Sequence, residues 1–353
     1  MKKILPISFA LAVLLTHAAF GQPVATAPVG VINITIAGGS VGTPKLTTFC
    51  MPLKSPVGAG FVGQPSGKIT GVTASTISNS AAGWTAGALS QSASPYFLRI
   101  TSGQAAGYVF QVSTSAANTS TTATLIPAGI DLTSLGIVAG TDRYELVSGD
   151  TLKSLFGTGG DGANGTVLGA TSQANSDVVR VSSGGAWSDY YFHTGYNQWR
   201  QGSLPVNRDN IVIHPNAGII YTRKAASSII LPVFGAVPDV GTKTLVGNAG
   251  PSFIANNFPV DRAIGSFGIQ NIAGFVKANP PAIPITSADT VSVWSGVAWN
   301  TYHYNSTLSQ WREGSLPVNR SNIVIPAGRP IWIQKTSGSS GTVIFPETMP
   351  YSL

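Results

Sequence analysis

The chain carries one segment twice. Residues 177–213 align without a gap on residues 289–325, and 22 of the 37 positions are identical at a constant offset of 112. The shared centre reads QWRQGSLPVNRDNIVI in the first copy and QWREGSLPVNRSNIVI in the second. Upstream the likeness is fainter, with DTLKSLFG at 150–157 over RAIGSFGI at 262–269. The repeat is therefore expected to run from about residues 144 and 256 to about 234 and 345. Duplication on this scale marks stacked modules rather than one catalytic domain.

Comparing the copies separates their faces. Val179 and Val181 match Val291 and Val293, whereas Val178, Arg180 and Ser182 face Thr290, Ser292 and Trp294. Identity at every second residue is the mark of a strand with one side buried and the other free. The expected meander has strands at 178–182, 187–193 and 198–200, with a turn at 183–185, and at 290–294, 299–305 and 310–313 in the second copy. Ile211, Val212 and Ile213 are shared throughout with Ile323, Val324 and Ile325, which predicts a strand covered on both faces. Each repeat is expected to open with one helical turn, at 151–155 and 263–267.

With 41 Gly, 23 Pro and only 9% charged residues, the chain reads as short strands joined by tight turns. No 3.6-residue apolar period follows the first 21 residues. Those 21 are expected to be a signal peptide: Lys2 and Lys3, an apolar run at 4–15, and Ala19 and Gly21 at a cleavage site. No later stretch is apolar and long enough to span a bilayer. The basic excess, 20 Lys and Arg against 13 Asp and Glu, is scattered, so nucleic acid is not an expected partner. Cys50, the single cysteine, excludes an internal disulfide, and its apolar setting predicts a buried, inert thiol.

The expected fold class is all-β, sandwich or barrel-like. An N-terminal β-domain over 22–143 is followed by two tandem β-meander modules, 144–235 and 236–353. Strands are expected in the first region at 31–36, 46–53, 68–76, 96–101, 108–113, 123–126 and 143–147. Residues 96–112 form a hairpin turning at Gly103 and Gly107.

Reactive constellations are sparse. After the leader the histidines are His193, His214 and His303, and none is matched by histidine in the other copy. Gly58, Gly60 and Gly63 fit a dinucleotide fingerprint, but Pro65 and Gly67 follow where a helix must begin, so a loop is expected. Gly67-Lys68 runs into Ile69 and is no P-loop. Residues 159–165 offer one carboxylate, Asp161, too few for calcium, and are expected to be a flexible connector. No catalytic residue, metal or cofactor is implied.

The aromatic residues carry what functional signal there is. Trp199 and Trp311 are expected in the repeat core, beside the matched Arg208 and Arg320, which lie in Asn-Arg-x-Asn turns with Asn207, Asn210, Asn319 and Asn322. Trp187, Trp299, Tyr190 and Tyr302 fit either core plugs or a platform that stacks on sugar rings, with core favoured. Trp294 replaces Ser182 at an outward position and is the leading candidate for ligand contact.

The TSGxxAG hairpin at 101–107, the YELVxGDTLxSLFG segment at 144–157, the AWxxY and QW pairs, and the PAGxPxWI stretch at 326–333 give a further clue. Together they resemble a family of uncharacterised secreted β-rich proteins from environmental bacteria. The resemblance spans nearly the whole chain after the leader. It implies export and an all-β build, and no activity. A C-terminal sorting segment goes with that family, whereas this sequence closes on TMPYSL with neither apolar tail nor basic cluster.

Together these features lead to the expectation of an exported structural or adhesive β-protein, at the cell surface, outside the cell or in the periplasm. Homo-oligomers or filaments are expected partners, through an N-terminal strand edge or the end of the last module. The second reading is a carbohydrate-binding protein that grips polysaccharide through exposed aromatics. The third is a hydrolase, which needs two carboxylates facing across a cleft.

Overall fold

The computed structural model describes residues 28–183, 186–280, 284–336 and 342–353. The expected signal peptide and Gly184-Gly185 of the expected turn lie outside the described residues.

In chain order the molecule opens with β1 (Val29–Ile36) and β2 (Lys45–Phe49). Short strands follow: β3 (Ser66–Lys68), β4 (Gly71–Val72), β5 (Thr76–Ser78), β6 (Tyr96–Ile100), β7 (Val109–Val112), β8 (Thr122–Ile126) and β9 (Arg143–Ser148). The first meander is preceded by β10 (Asp150–Thr151) and α1 (Leu152–Phe156). It comprises β11 (Val178–Ser183), β12 (Ala186–His193) and β13 (Gln198–Gln201), and β14 (Val212–Ile213), β15 (Ile219–Arg223) and β16 (Ile229–Ala236) complete the unit. The second unit has β17 (Thr242–Gly247), β18 (Gly250–Ile254), β19 (Arg262–Ala263), β20 (Thr290–Trp294), β21 (Trp299–Asn305), β22 (Gln310–Glu313), β23 (Val324–Ile325), β24 (Ile331–Lys335) and β25 (Thr342–Glu347).

Pairing shows that the duplication is larger than the aligned segment. In the first unit the strand order is β13-β12-β11-β15-β2, under a ribbon of β1 with β16 and a short pair of β10 with β14. The second unit repeats this as β22-β21-β20-β24-β18, β17 with β25, and β19 with β23. β1 and β2 are thus the first strands of module one, equivalent to β17 and β18. The expected separate domain over 22–143 is corrected accordingly. Residues 50–149, which hold β3 to β9, are inserted into module one where module two has only residues 255–261. The inserted strands form their own sheet, β3-β9-β6-β7-β8-β5-β4. The architecture is layered, and among the described residues none of the sheets closes into a barrel.

Each unit has its own core. Module one packs Ile34, Phe49, Val179, Trp199 and Tyr221 between its ribbon and its five-stranded sheet. Module two does the same with Val246, Ile254, Val291, Trp311 and Phe345, and the insertion packs Ile69, Trp84, Leu98 and Phe110. Alternating burial along β1 and β17 explains how strands with little sequence in common occupy equivalent places: only their inward apolar residues are constrained.

Local chemistry sets the differences. α1 is capped reciprocally, with Thr151 Oγ1 accepting from Ser154 N at 3.1 Å and Ser154 Oγ from Thr151 N at 2.8 Å. Position 263 is alanine, has no cap to offer, and the chain makes only a 3-10 turn at Ile264–Ser266. Two strand expectations change. The run at 68–76 breaks into β3, β4 and β5. The second Ile-Val-Ile strand is covered on one side only, with Ile325 buried and Val324 54% exposed, whereas in the first Ile213 is buried in the module core and Val212 packs on Phe97, Val109 and Val147 of the inserted sheet.

Candidate functional site

Where the two modules meet, the outward faces of their sheets bring five aromatic rings together. Trp294 and Trp299 sit opposite each other on β20 and β21, with ring centroids 5.3 Å apart. Trp332 on β24 lies 5.6 Å from Trp299. Phe253 on β18 joins them at 6.0 Å from Trp299 and 6.3 Å from Trp332. Trp187 reaches in from β12 of module one, 5.4 Å from Phe253 and 5.5 Å from Trp332. Phe253 is buried, whereas all four tryptophans keep part of their surface in solvent. The rings are tilted by 43° to 79° to one another, an edge-to-face mesh that suits aromatic quadrupoles.

The backbone brings the modules close here. Gly218 N donates to Phe253 O at 3.2 Å and Ala255 N to Asn216 O at 3.0 Å. A Cβ on Gly218 would lie 2.5 Å from Pro330 Cβ and 2.6 Å from the Phe253 ring, so only glycine allows this approach. Polar groups flank the rings. On the same face as Trp187, Arg180 grips Asp189 with two hydrogen bonds, Nε to Oδ1 at 2.6 Å and Nη2 to Oδ2 at 2.8 Å. Beside Trp332, the Ser292 and Thr301 hydroxyls are 2.8 Å apart. Trp294 Nε1 is buried and has no hydrogen-bond partner among the described residues.

The remaining candidates belong to the interior. Tyr190 and Tyr302, weighed as core plugs or ligand contacts with core favoured, are 6% and 2% exposed and sit in the two cores. Both lie on the inward side of their strands, opposite Val179 and Val291, and burial raises the pKa of the Tyr302 phenol. Trp187 and Trp299, for which core was equally favoured, are the correction: they lie outward, on the face opposite the cores, and are only half-buried. Trp199 and Trp311 are fully buried. Arg208 and Arg320 hold the following turn to these tryptophans by backbone, donating N–H to Trp199 O at 2.8 Å and Trp311 O at 2.7 Å. Asn207 and Asn319 close the same turns, each Oδ1 accepting a backbone N–H two residues on, from Asp209 at 2.7 Å and Ser321 at 2.8 Å. Burial pushes the Cys50 thiol up to about 12, so it is a packing residue and no nucleophile.

A buried ion pair repeats in both modules. Asp177 and Arg223 are both fully buried. Arg223 Nε donates to Ser227 O at 2.9 Å, Nη1 to Thr166 O at 2.7 Å and to Asp177, and Nη2 to Gly162 O at 2.7 Å and Ser227 Oγ at 3.0 Å. The connector at 159–165, expected to be flexible, therefore supplies a carbonyl to this cage. Asp177 also accepts from Tyr221 Oη at 2.8 Å and from the backbone of Leu168 and Lys224. Burial, then the Asp177 charge, push the Tyr221 phenol well up, which keeps it a donor. In module two Asp289 and Lys335 take these places, 3.6 Å apart and fully buried. Lys335 Nζ caps Ala273 O and Gly274 O at 3.2 and 2.8 Å. A third pair, Arg262 with Glu347 at 2.6 Å, is held by Asn257 and Thr242, and burial raises the pKa of that glutamate.

These carboxylates hold the fold: each is spent on neighbouring donors inside a core. Among the described residues no group of three or more His, Cys, Asp or Glu is placed to hold a metal ion. Sequence reasoning overlooked Phe253 and Trp332, whose counterparts in module one are Thr48 and Ile220. It also overlooked the ion pairs, although Asp177 and Asp289 open the aligned segment. No protein family, curated relative or solved structure matches the chain.

Proposed function

We propose that the chain is an exported adhesive β-protein whose contact surface is the aromatic seam, and that the material it holds is polysaccharide. The observation that carries this is the placement of the rings. Both sheets fill their cores from the inward faces, so the seam tryptophans are surplus to core packing. Phe253 and Trp332 alone suffice to meet Trp187 across the modules. Trp294 and Trp299 extend the patch past that contact, and Trp294 touches only Trp299 among the seam rings. A contiguous, partly exposed aromatic patch on a chain this poor in charge is a contact surface. Ring faces with carboxylate, guanidinium and hydroxyl groups alongside suit the apolar face and hydroxyl rim of a pyranose.

Cosedimentation with insoluble cellulose, chitin and peptidoglycan tests the reading. Binding is expected to at least one polymer. Trp294→Ala is expected to weaken it about tenfold, the loss of one aromatic contact of about 1.4 kcal/mol, while the melting temperature holds. A protein that binds none of the polymers, with Trp294→Ala melting as early as Trp311→Ala, would make the seam structural only.

A further inference from the structure

We infer that the first ribbon, β1 with β16, is a homodimer surface that receives the same ribbon of a second copy. The inference is independent of the aromatic seam and starts from the fate of the equivalent ribbon in module two. There the outer edge of β17 is occupied. Lys243 N donates to Gly107 O at 2.9 Å, and Tyr108 bridges Lys243 in parallel register. Leu245 packs on the core of the inserted sheet, and Lys243 Nζ lies 5.2 Å from the centre of the Tyr108 ring. Gly107 has φ +97°, and a Cβ there would lie 2.7 Å from Gly241 O, so this docking is built into the sequence.

In module one the corresponding position is Val31, which faces Phe234 as Lys243 faces Pro346. Among the described residues β1 pairs with β16 alone. The outer face is apolar and open, with Val29 81%, Val31 53%, Ile230 65% and Phe234 65% exposed. Asn33, Thr35 and Pro232 complete it, and none of these seven residues is charged. Pro232 also removes a backbone donor from β16, which leaves β1 as the edge fit for pairing.

Charge selects the occupant. A two-fold contact sets each residue against a nearby residue of its own strand, so any charge would meet its copy. The first ribbon passes that test, and the second, with Lys243, does not. Two copies of β1 related by a two-fold axis are necessarily antiparallel. They extend the ribbon to four strands, in the order β16-β1-β1-β16, and set Val31 beside its copy. Natural edges are blocked with lysine where pairing is unwanted, and β1 lacks that block.

Light scattering on size-fractionated protein, from about 1 µM to about 1 mM, together with amide exchange, tests the inference. A concentration-dependent dimer is expected, with exchange in 29–36 slowing as it forms. Val31→Lys, which copies the sister ribbon, is expected to be monomeric with an unchanged melting temperature, and Val31→Thr to dimerise. A strict monomer at every concentration overturns the inference. So does a dimer that survives Val31→Lys, or one that forms without slowing exchange in 29–36.

Discussion

The two modules share a nine-strand ground plan and differ in what is attached to it. Module one hosts a seven-stranded sheet between β2 and β10, whereas module two crosses the same gap with residues 255–261. Module two places Phe253, Trp294 and Trp332 at outward positions where module one has Thr48, Ser182 and Ile220. Inward positions are nearly interchangeable, including the tryptophan under each meander and the aspartate at the head of β11 and β20. What a core needs limits substitution on one side of each strand, and the other side is free to take up function.

The buried ion pair offers the strongest way to break that equivalence. Asp177→Ala strands Arg223 in a fully buried cage together with the hydroxyl of Tyr221, and an arginine cannot shed its charge. Asp289→Ala strands Lys335, an ammonium already capped by two carbonyls. Urea unfolding is expected to show a loss of about 4–5 kcal/mol for the first and about 3 kcal/mol for the second. Equal losses would mean that the two sites are energetically identical despite their chemistry.

A pH series separates the modules next. His214 lies where the inserted sheet meets module one, edge-on to Phe97 at 5.0 Å, with Nδ1 accepting from Asn216 N at 3.1 Å and the Val109 backbone taking its other nitrogen. Burial lowers its pKa from 6.5 to about 4. The unfolded chain therefore takes up a proton before the folded one does. Stability falls as the pH drops from about 6.5 towards about 4, then levels off. The equivalent position in module two is Pro326, which contributes nothing. Melting curves across this window are expected to show the loss, and His214→Leu to reduce it to the part that His303 of module two supplies, whose pKa burial and then the Arg312 charge also lower.

The smallest effect concerns the paired tryptophans. Trp199 Nε1 donates to Gly157 O at 2.9 Å, whereas Trp311 Nε1 has no partner among the described residues. Trp199→Phe is therefore expected to cost about 1 kcal/mol more than Trp311→Phe, measured by denaturant titration of the two variants.

The meander strands were legible in the sequence because duplication prints burial as identity: Val179 and Val291 persist while Arg180 and Ser292 diverge. The discontinuity of module one was not legible. β1 and β17 have in common only an apolar alternation that many strands satisfy, and nothing local to β2 tells that its partner, β15, lies beyond the whole insertion. The shared tyrosines Tyr190 and Tyr302 fitted either core or contact, and their identity records inward packing, whereas the equally shared Trp187 and Trp299 face outward. The seam gave the opposite signal. Trp332 and Phe253 have no aromatic counterpart, so a search for shared residues passes over them, and only Trp294 was found by its divergence. The ion pairs were hidden because Arg223 and Lys335 lie past the end of the aligned segment, and differ.

The interrupted layout of module one also fixes a sequence in time. As the chain emerges N-terminus first, β1 and β2 appear early but have no partners until β15 and β16 follow, with Phe49 waiting for Ile219 and Ile36 for Ile229. The inserted sheet is complete at Ser148 and can close while those strands are still idle. The guest can therefore close before its host, and pairing β1 and β2 means returning the chain to its own beginning across the whole insertion, a long loop closure that a preformed guest shortens.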